Sequence, residues 1–160
     1  MEVIVEKIRV PEGYNIILGQ SHFIKTVEDL YEAMVNSVPG IKFGLAFSEA
    51  SGPCLIRKDG TDSELIEIAV KNLQRLKAGH VFLIVLKDIF PINVIPAIKE
   101  CREVVGIYCA TANPVEVLLG QSEQGRGVLG VIDGFSPKGV ESDSDISDRQ
   151  KLLLDIGYKR

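Results

Sequence analysis

The stretch "VFLIVL", residues 81–86, runs six apolar residues together without a break. Successive side chains of a strand point to opposite faces, so both faces of this one need covering, and it reads as a central strand with a packing layer on each side. The stretch "IKFGLAFS", residues 41–48, alternates instead. Ile41, Phe43, Leu45 and Phe47 face one way and Lys42, Gly44, Ala46 and Ser48 the other, which predicts a strand with one large-residue face.

Further strands surround this pair. "VIVEKIRV", residues 3–10, places Val3, Val5, Ile8 and Val10 at period two, and "YNIIL" follows the turn at Pro11 to Gly13. "CLIRKDGT" predicts a short strand ended by Asp59-Gly60, while "VVGIYCATA", "PVEVLLG" and "GVLGVIDG" predict three more. Between them, Val27, Leu30, Met34 and Val38 recur at helical spacing, which predicts a helix from Thr26 to about Val38 with Thr26 and Asp29 as a capping-box variant. "TDSELIEIAVKNLQRLKAG" predicts a second helix, with Thr61 and Glu64 as its capping box and Gly79 as its stop. In "FPINVIPAIKECREV" Pro91 and Pro96 sit near a helix start, and Ile92, Ile95 and Ile98 form an apolar stripe. Ser147 is expected to open a last helix closed by Gly157, after a polar and mobile "SPKGVESDSDISD". Strands and helices mingle without strict βαβ alternation, so the expected architecture is α+β, an α/β sandwich of a mixed β-sheet with packed helices, and not a Rossmann fold.

At 160 residues, the chain is expected to form one domain over residues 1–160. Its 46% hydrophobic and 25% charged content is that of a water-soluble globular protein. A formal charge of -4 with both signs interspersed offers no basic field for a nucleic-acid polymer or an anionic membrane. No apolar run is long enough for a leader or a span, and a cytoplasmic location is expected. Cys54, Cys101 and Cys109 fit neither a disulfide framework nor a zinc motif and read as small buried hydrophobes, so no metal site is expected.

Polar residues collect where strands end: Ser48 to Gly52, Lys87-Asp88, Thr111 to Asn113, and Asp133 to Gly139. Strand-end loops of a sheet commonly build a ligand crevice, and one shared pocket is the economical expectation, against the alternative that these residues only make turns. "GRGVLG", residues 125–130, has the letters of a dinucleotide fingerprint but precedes a strand instead of opening a helix. What it leaves is a glycine-flanked Arg126, able to meet a phosphate or carboxylate in bidentate fashion or simply to be solvated. No GxxxxGK[ST] loop or protein-kinase motif set is present. His22 closes a turn or acts as a nucleophile or base, with Gln20, Ser21, Lys25 and the amides of the helix opening at Thr26 as donors to a phosphate. His80, between a helix stop and the central strand, reads as a core histidine.

"GQSHFIKTVEDLYEA", "GLAFSEASG", "FPINVIPAIK", "CATANPVEV" and "EQGRGVLGVIDGFSPKGVE" together resemble the adenosine-specific kinase family, over nearly the whole chain. The resemblance implies an α+β domain with a mixed sheet, an adenosine site, self-association into a homo-oligomer, and a histidine proposed as phosphoryl carrier. It does not imply the ribokinase-type fold, whose DTxGAGD motif is absent. On this resemblance His22 and His80 become the candidate carriers, with His22 favoured for its helix start. Asn93 and Asn113 are expected to read the adenine edge and Asp88 or Asp133 the ribose diol, while Lys25, Arg126 and Lys138 are expected to face the transferred group. Adenosine or AMP is the expected partner; the phosphoryl donor is open, with Mg as a possible companion. The alternative is a non-catalytic adenosine or AMP sensor.

Overall fold

The computed structural model describes residues 1–160 and is α+β. Its strands are β1 (Glu2–Lys7), β2 (Asn15–Ser21), β3 (Lys42–Ser48), β4 (Ile56–Gly60), β5 (Val81–Lys87), β6 (Val104–Thr111), β7 (Val115–Gln121) and β8 (Arg126–Asp133). Its helices are α1 (Thr26–Ser37), α2 (Ser63–Leu76), α3 (Ile95–Glu100) and α4 (Asp143–Asp155). A five-stranded sheet runs β4-β3-β5-β2-β6, and a three-stranded sheet runs β1-β7-β8. Every pairing within the two sheets is antiparallel, and the parallel component is a single bridge between Ala78 and Arg126.

The apolar run of β5 makes it the middle strand, buried throughout residues 81–86, and its two faces feed two separate cores. Phe82, Ile84 and Leu86 join Phe43, Leu45 and Phe47 of β3 under Leu30 and Met34 of α1 and Ile98 of α3. Val81, Leu83 and Val85 face Leu65, Ala69, Leu73 and Leu76 of α2 and Val115, Val117 and Leu119 of β7. The small face of β3 explains how α2 seats so closely: a Cβ on Gly44 would lie 2.0 Å from the Leu65 carbonyl carbon and 2.2 Å from the Ile66 nitrogen. Only a residue without a side chain allows that approach.

Several local expectations shift. The first strand stops at Lys7, and Ile8 and Val10 pack on the α2-side core from a connection held by Asn72. Asn72, buried in α2, accepts the Arg9 N–H at 2.8 Å and donates to the Arg9 carbonyl at 2.9 Å. α1 has no side-chain cap: the Thr26 hydroxyl points back to Ser21 and the Phe23 carbonyl, and Asp29 pairs with Lys25. α2 is capped by Asp62, which accepts the Leu65 N–H, because Thr61 is engaged with the Ile41 carbonyl and the Phe43 N–H. It ends at Lys77 in the left-handed region (φ 54°), two residues before Gly79. The Pro-flanked segment divides into a 3-10 turn, Pro91–Asn93, and the short α3, which leaves Ile92 exposed. α4 begins at Asp143, four residues before Ser147, on a Ser142/Asp145 capping box, and buries no residue of its own. Of the cysteines, Cys109 is buried, Cys101 half-buried and Cys54 exposed, so the hydrophobe reading fails at Cys54.

Candidate functional site

The antiparallel order sorts the strand-end loops into two groups. Phe47 lies opposite Phe82 and Gln20 opposite Val81, so Ser48, Ser21, His22 and His80 share one end of the five-stranded sheet. Asn15 lies opposite Leu86 and Ile16 opposite Thr111, so Lys87, Asp88, Thr111 and Asn113 share the other. The single crevice expected from sequence is therefore two places. At the far end Asn113 Nδ2 donates to Asp133 Oδ1 at 3.2 Å, Asp88 is exposed, and Asn93 Oδ1 receives the Tyr158 hydroxyl at 3.5 Å. Lys138 lies exposed in the connection from β8 to α4.

The near end holds a cavity of about 900 Å3. Its walls are Ser48, Glu49 and Ala50 after β3, the end of α2 from Leu73 to Gly79, and the β7–β8 hairpin from Gly120 to Leu129. That volume suits a nucleoside-sized ligand. Gln74, Gln121, Gln124, Ser122, Lys77 and Arg126 give the wall its polar groups. Gly79 passes so near the opposite loop that a Cβ there would meet the Ala50 Cβ at 2.8 Å. Of the individual ligand and catalytic candidates named from the sequence, only Arg126 lines this cavity, together with Ser48, Glu49 and Ala50 of the expected strand-end loop. Its Nε donates to Gln121 Oε1 at 2.7 Å and its Nη1 to the Arg75 and Leu76 carbonyls at 3.3 and 3.5 Å. The guanidinium thus serves the carbonyl end of α2, where a cation is favoured, and keeps Nη2 uncommitted.

Glu49 lies in the strand-end loop from Ser48 to Gly52, and nothing in its sequence sets it apart from its neighbours. Its carboxylate accepts the Leu55 N–H at 2.9 Å and the Arg57 guanidinium at 2.6 and 2.9 Å. These bonds, the Leu55 amide first and Arg57 second, hold its carboxyl below the usual carboxylate range. The glutamines of the wall also escaped notice, since isolated Gln residues carry no spacing signature; only the glycine-flanked "EQGRG" pointed here.

Both histidines stand beside this cavity without lining it. The His80 N–H donates to the Ser48 carbonyl at 2.7 Å, and its ring stacks on Phe47 at 6.0 Å and 16°. Phe47 belongs to the face under α1, and the His80 ring packs against it. His80 is half-buried and has a left-handed backbone, φ 58°; Asp88, at the other end of β5, has φ 57°. His22 is exposed, and its N–H donates to the Glu103 carbonyl at 3.1 Å. Ser21 is wholly buried, its hydroxyl bonding the Glu103 carbonyl at 3.0 Å and Thr26 Oγ1 at 2.6 Å, so it shapes the loop and offers nothing to a ligand. Gln20 is exposed and accepts the Tyr108 hydroxyl at 3.2 Å; Lys25 is held by Asp29 at 2.8 Å. No three His, Cys, Asp or Glu side chains converge to hold a metal ion. No helix is long and apolar enough to cross a membrane.

The chain is thus an antiparallel α+β sandwich with a nucleoside-sized cavity at one sheet end. The family model described as "Adenosine specific kinase" matches residues 6–159, and the chain belongs to that family. Among solved structures, the PH1918 protein from Pyrococcus horikoshii OT3 is 44% identical, with a TM-score of 0.95 over 99% of this chain and 98% of that one. No curated protein matches the chain.

Proposed function

We propose that the chain binds adenosine in the near-end cavity and transfers a phosphoryl group to its 5'-hydroxyl, forming AMP. The observation that carries this reading is a 900 Å3 cavity walled by three glutamines and Arg126, in a chain of the adenosine-specific kinase family. A glutamine amide offers the paired donor and acceptor that the adenine edge requires, so Gln74, Gln121 and Gln124 take the role that sequence gave to Asn93 and Asn113 at the far end. Arg126 Nη2 and Lys77 supply positive charge for the transferred group.

Transfer through histidine takes two balanced steps. An imidazole nitrogen of His22 or His80 attacks the terminal phosphorus of a phosphoanhydride donor, forming P–N while the bridging P–O bond breaks and its electron pair leaves with the donor. The adenosine 5'-oxygen then attacks that phosphorus, forming P–O as P–N breaks, and its proton passes to the released imidazole. No step is assigned to Mg. A homo-oligomer belongs to the same proposal, with Phe135 and Val140, 83% and 98% exposed, available to a second copy.

The second reading is a non-catalytic adenosine or AMP sensor. It is favoured by the position of both imidazoles outside the cavity wall. Calorimetry with adenosine, run beside an AMP-formation assay with nucleoside triphosphate, separates the two. Binding with turnover supports the kinase, saturable binding without product supports the sensor, and no binding overturns both.

A further inference from the structure

Glu103, at the entry to β6, is 2% exposed, and neither carboxyl oxygen has a hydrogen-bond donor. A buried acceptor pair with no donor is costly, and an ionised one more so. Another acid stands beside it: the Asp29 carboxyl of α1 lies within hydrogen-bonding reach. Two carboxylates cannot bond one another unless a proton lies between them. The proton belongs on Glu103, because Lys25 Nζ binds Asp29 Oδ2 at 2.8 Å and holds the charge there. We propose that Glu103 is a positioning residue, a neutral acid whose O–H donates to the Asp29 carboxylate and so pins the loop bearing His22 between α1 and β6.

The connection to the loop is direct. The Glu103 carbonyl accepts both the His22 N–H and the Ser21 hydroxyl, and Ser21 Oγ pairs with Thr26 Oγ1 in the first turn of α1. The Glu103 carbonyl holds the turn from Ser21 to Thr26 while the proton on its side chain holds Asp29, one turn further into α1. The groups around the acid agree with this protonation. Burial first, then Asp29, push the Glu103 carboxyl up, while its own backbone N–H and, less, Lys25 draw it down; Lys25 and then Glu103 hold Asp29 low. Cys101, whose thiol burial pushes up to about 11, stays protonated, and Glu100 and Arg102 flank the cluster with opposite charges. A folded-state value raised above the unfolded one gives stability that is full below the ordinary glutamate range and lost as pH rises through the raised value.

Infrared spectroscopy of the whole protein through a pH titration, with Glu103→Gln as reference, should show one buried carboxylic-acid band that persists above the ordinary glutamate range and that the variant lacks. Amide exchange at His22, corrected for intrinsic rates, should quicken at least tenfold in wild type as pH passes the value at which that band disappears. Glu103→Gln keeps a neutral donor of the same size, so its His22 amide should stay protected across that range. A missing band in the wild type, or equal pH dependence of exchange in the two proteins, overturns the proposal. Neither readout involves adenosine or phosphate, so a failure here is distinct from a failure of the kinase reading.

Discussion

The Ser21 N–H donates to the His80 carbonyl at 3.0 Å, which joins the corner after β2 to the corner before β5. His22 and His80 are thereby anchored in one backbone network, although 58 positions separate them in sequence. A phosphoryl carrier can be either of them, and the chemistry tells which. Incubation with a labelled phosphoryl donor should leave an acid-labile, base-stable label, as a phosphoramidate requires, and His22→Asn should abolish it. Loss in His80→Asn alone moves the role to His80. Adenosine affinity should stay within about tenfold, roughly 1.4 kcal/mol, in either variant, since neither ring lines the cavity.

Gly44→Ala tests the seating of α2. The added methyl would overlap the Leu65–Ile66 peptide, which is backbone and cannot rotate away. A loss of about 3 kcal/mol or more is expected, at the upper end of overpacking costs. An unchanged urea midpoint would show that α2 shifts without cost.

Asn72→Leu should remove both bonds to Arg9 and leave that peptide group unpartnered inside the packed connection. The expected cost is about 2 kcal/mol, read as a lower melting temperature with little change in adenosine binding, since Asn72 does not line the cavity.

Glu49 sets an acid limb. Its folded-state value is lowered, so its contribution is present above the ordinary glutamate range and is lost as pH falls through the lowered value. Glu49→Gln should flatten the loss of stability in acid, measured by denaturation from neutral pH to below the ordinary glutamate range. An acid limb identical to wild type would assign it to other carboxylates.

Alternation and apolar runs made the strands legible, because side-chain period reports directly on which faces are covered. The central place of β5 followed from residues 81–86 alone. Strand direction left no such trace: Lys87-Asp88 and Ser48–Gly52 look alike as strand ends, yet pairing sends them to opposite ends of the sheet. Caps erred by one to a few residues where neighbours such as Thr61 and Asp62 both offer an oxygen, and long-range bonding decided which served. Arg126 was visible through its glycines. Glu103 was not, since nothing in "ECREVV" distinguishes a buried acid from the solvated acid beside it.

β5 is bracketed by His80 and Asp88, both in the left-handed region that glycine occupies most cheaply. A sequence optimised for stability alone would place glycine at each corner and recover on the order of 1 kcal/mol apiece. The imidazole at position 80 is thus carried at a standing thermodynamic expense, and a His80→Gly protein should outlast the wild type in denaturant while losing whatever the ring does.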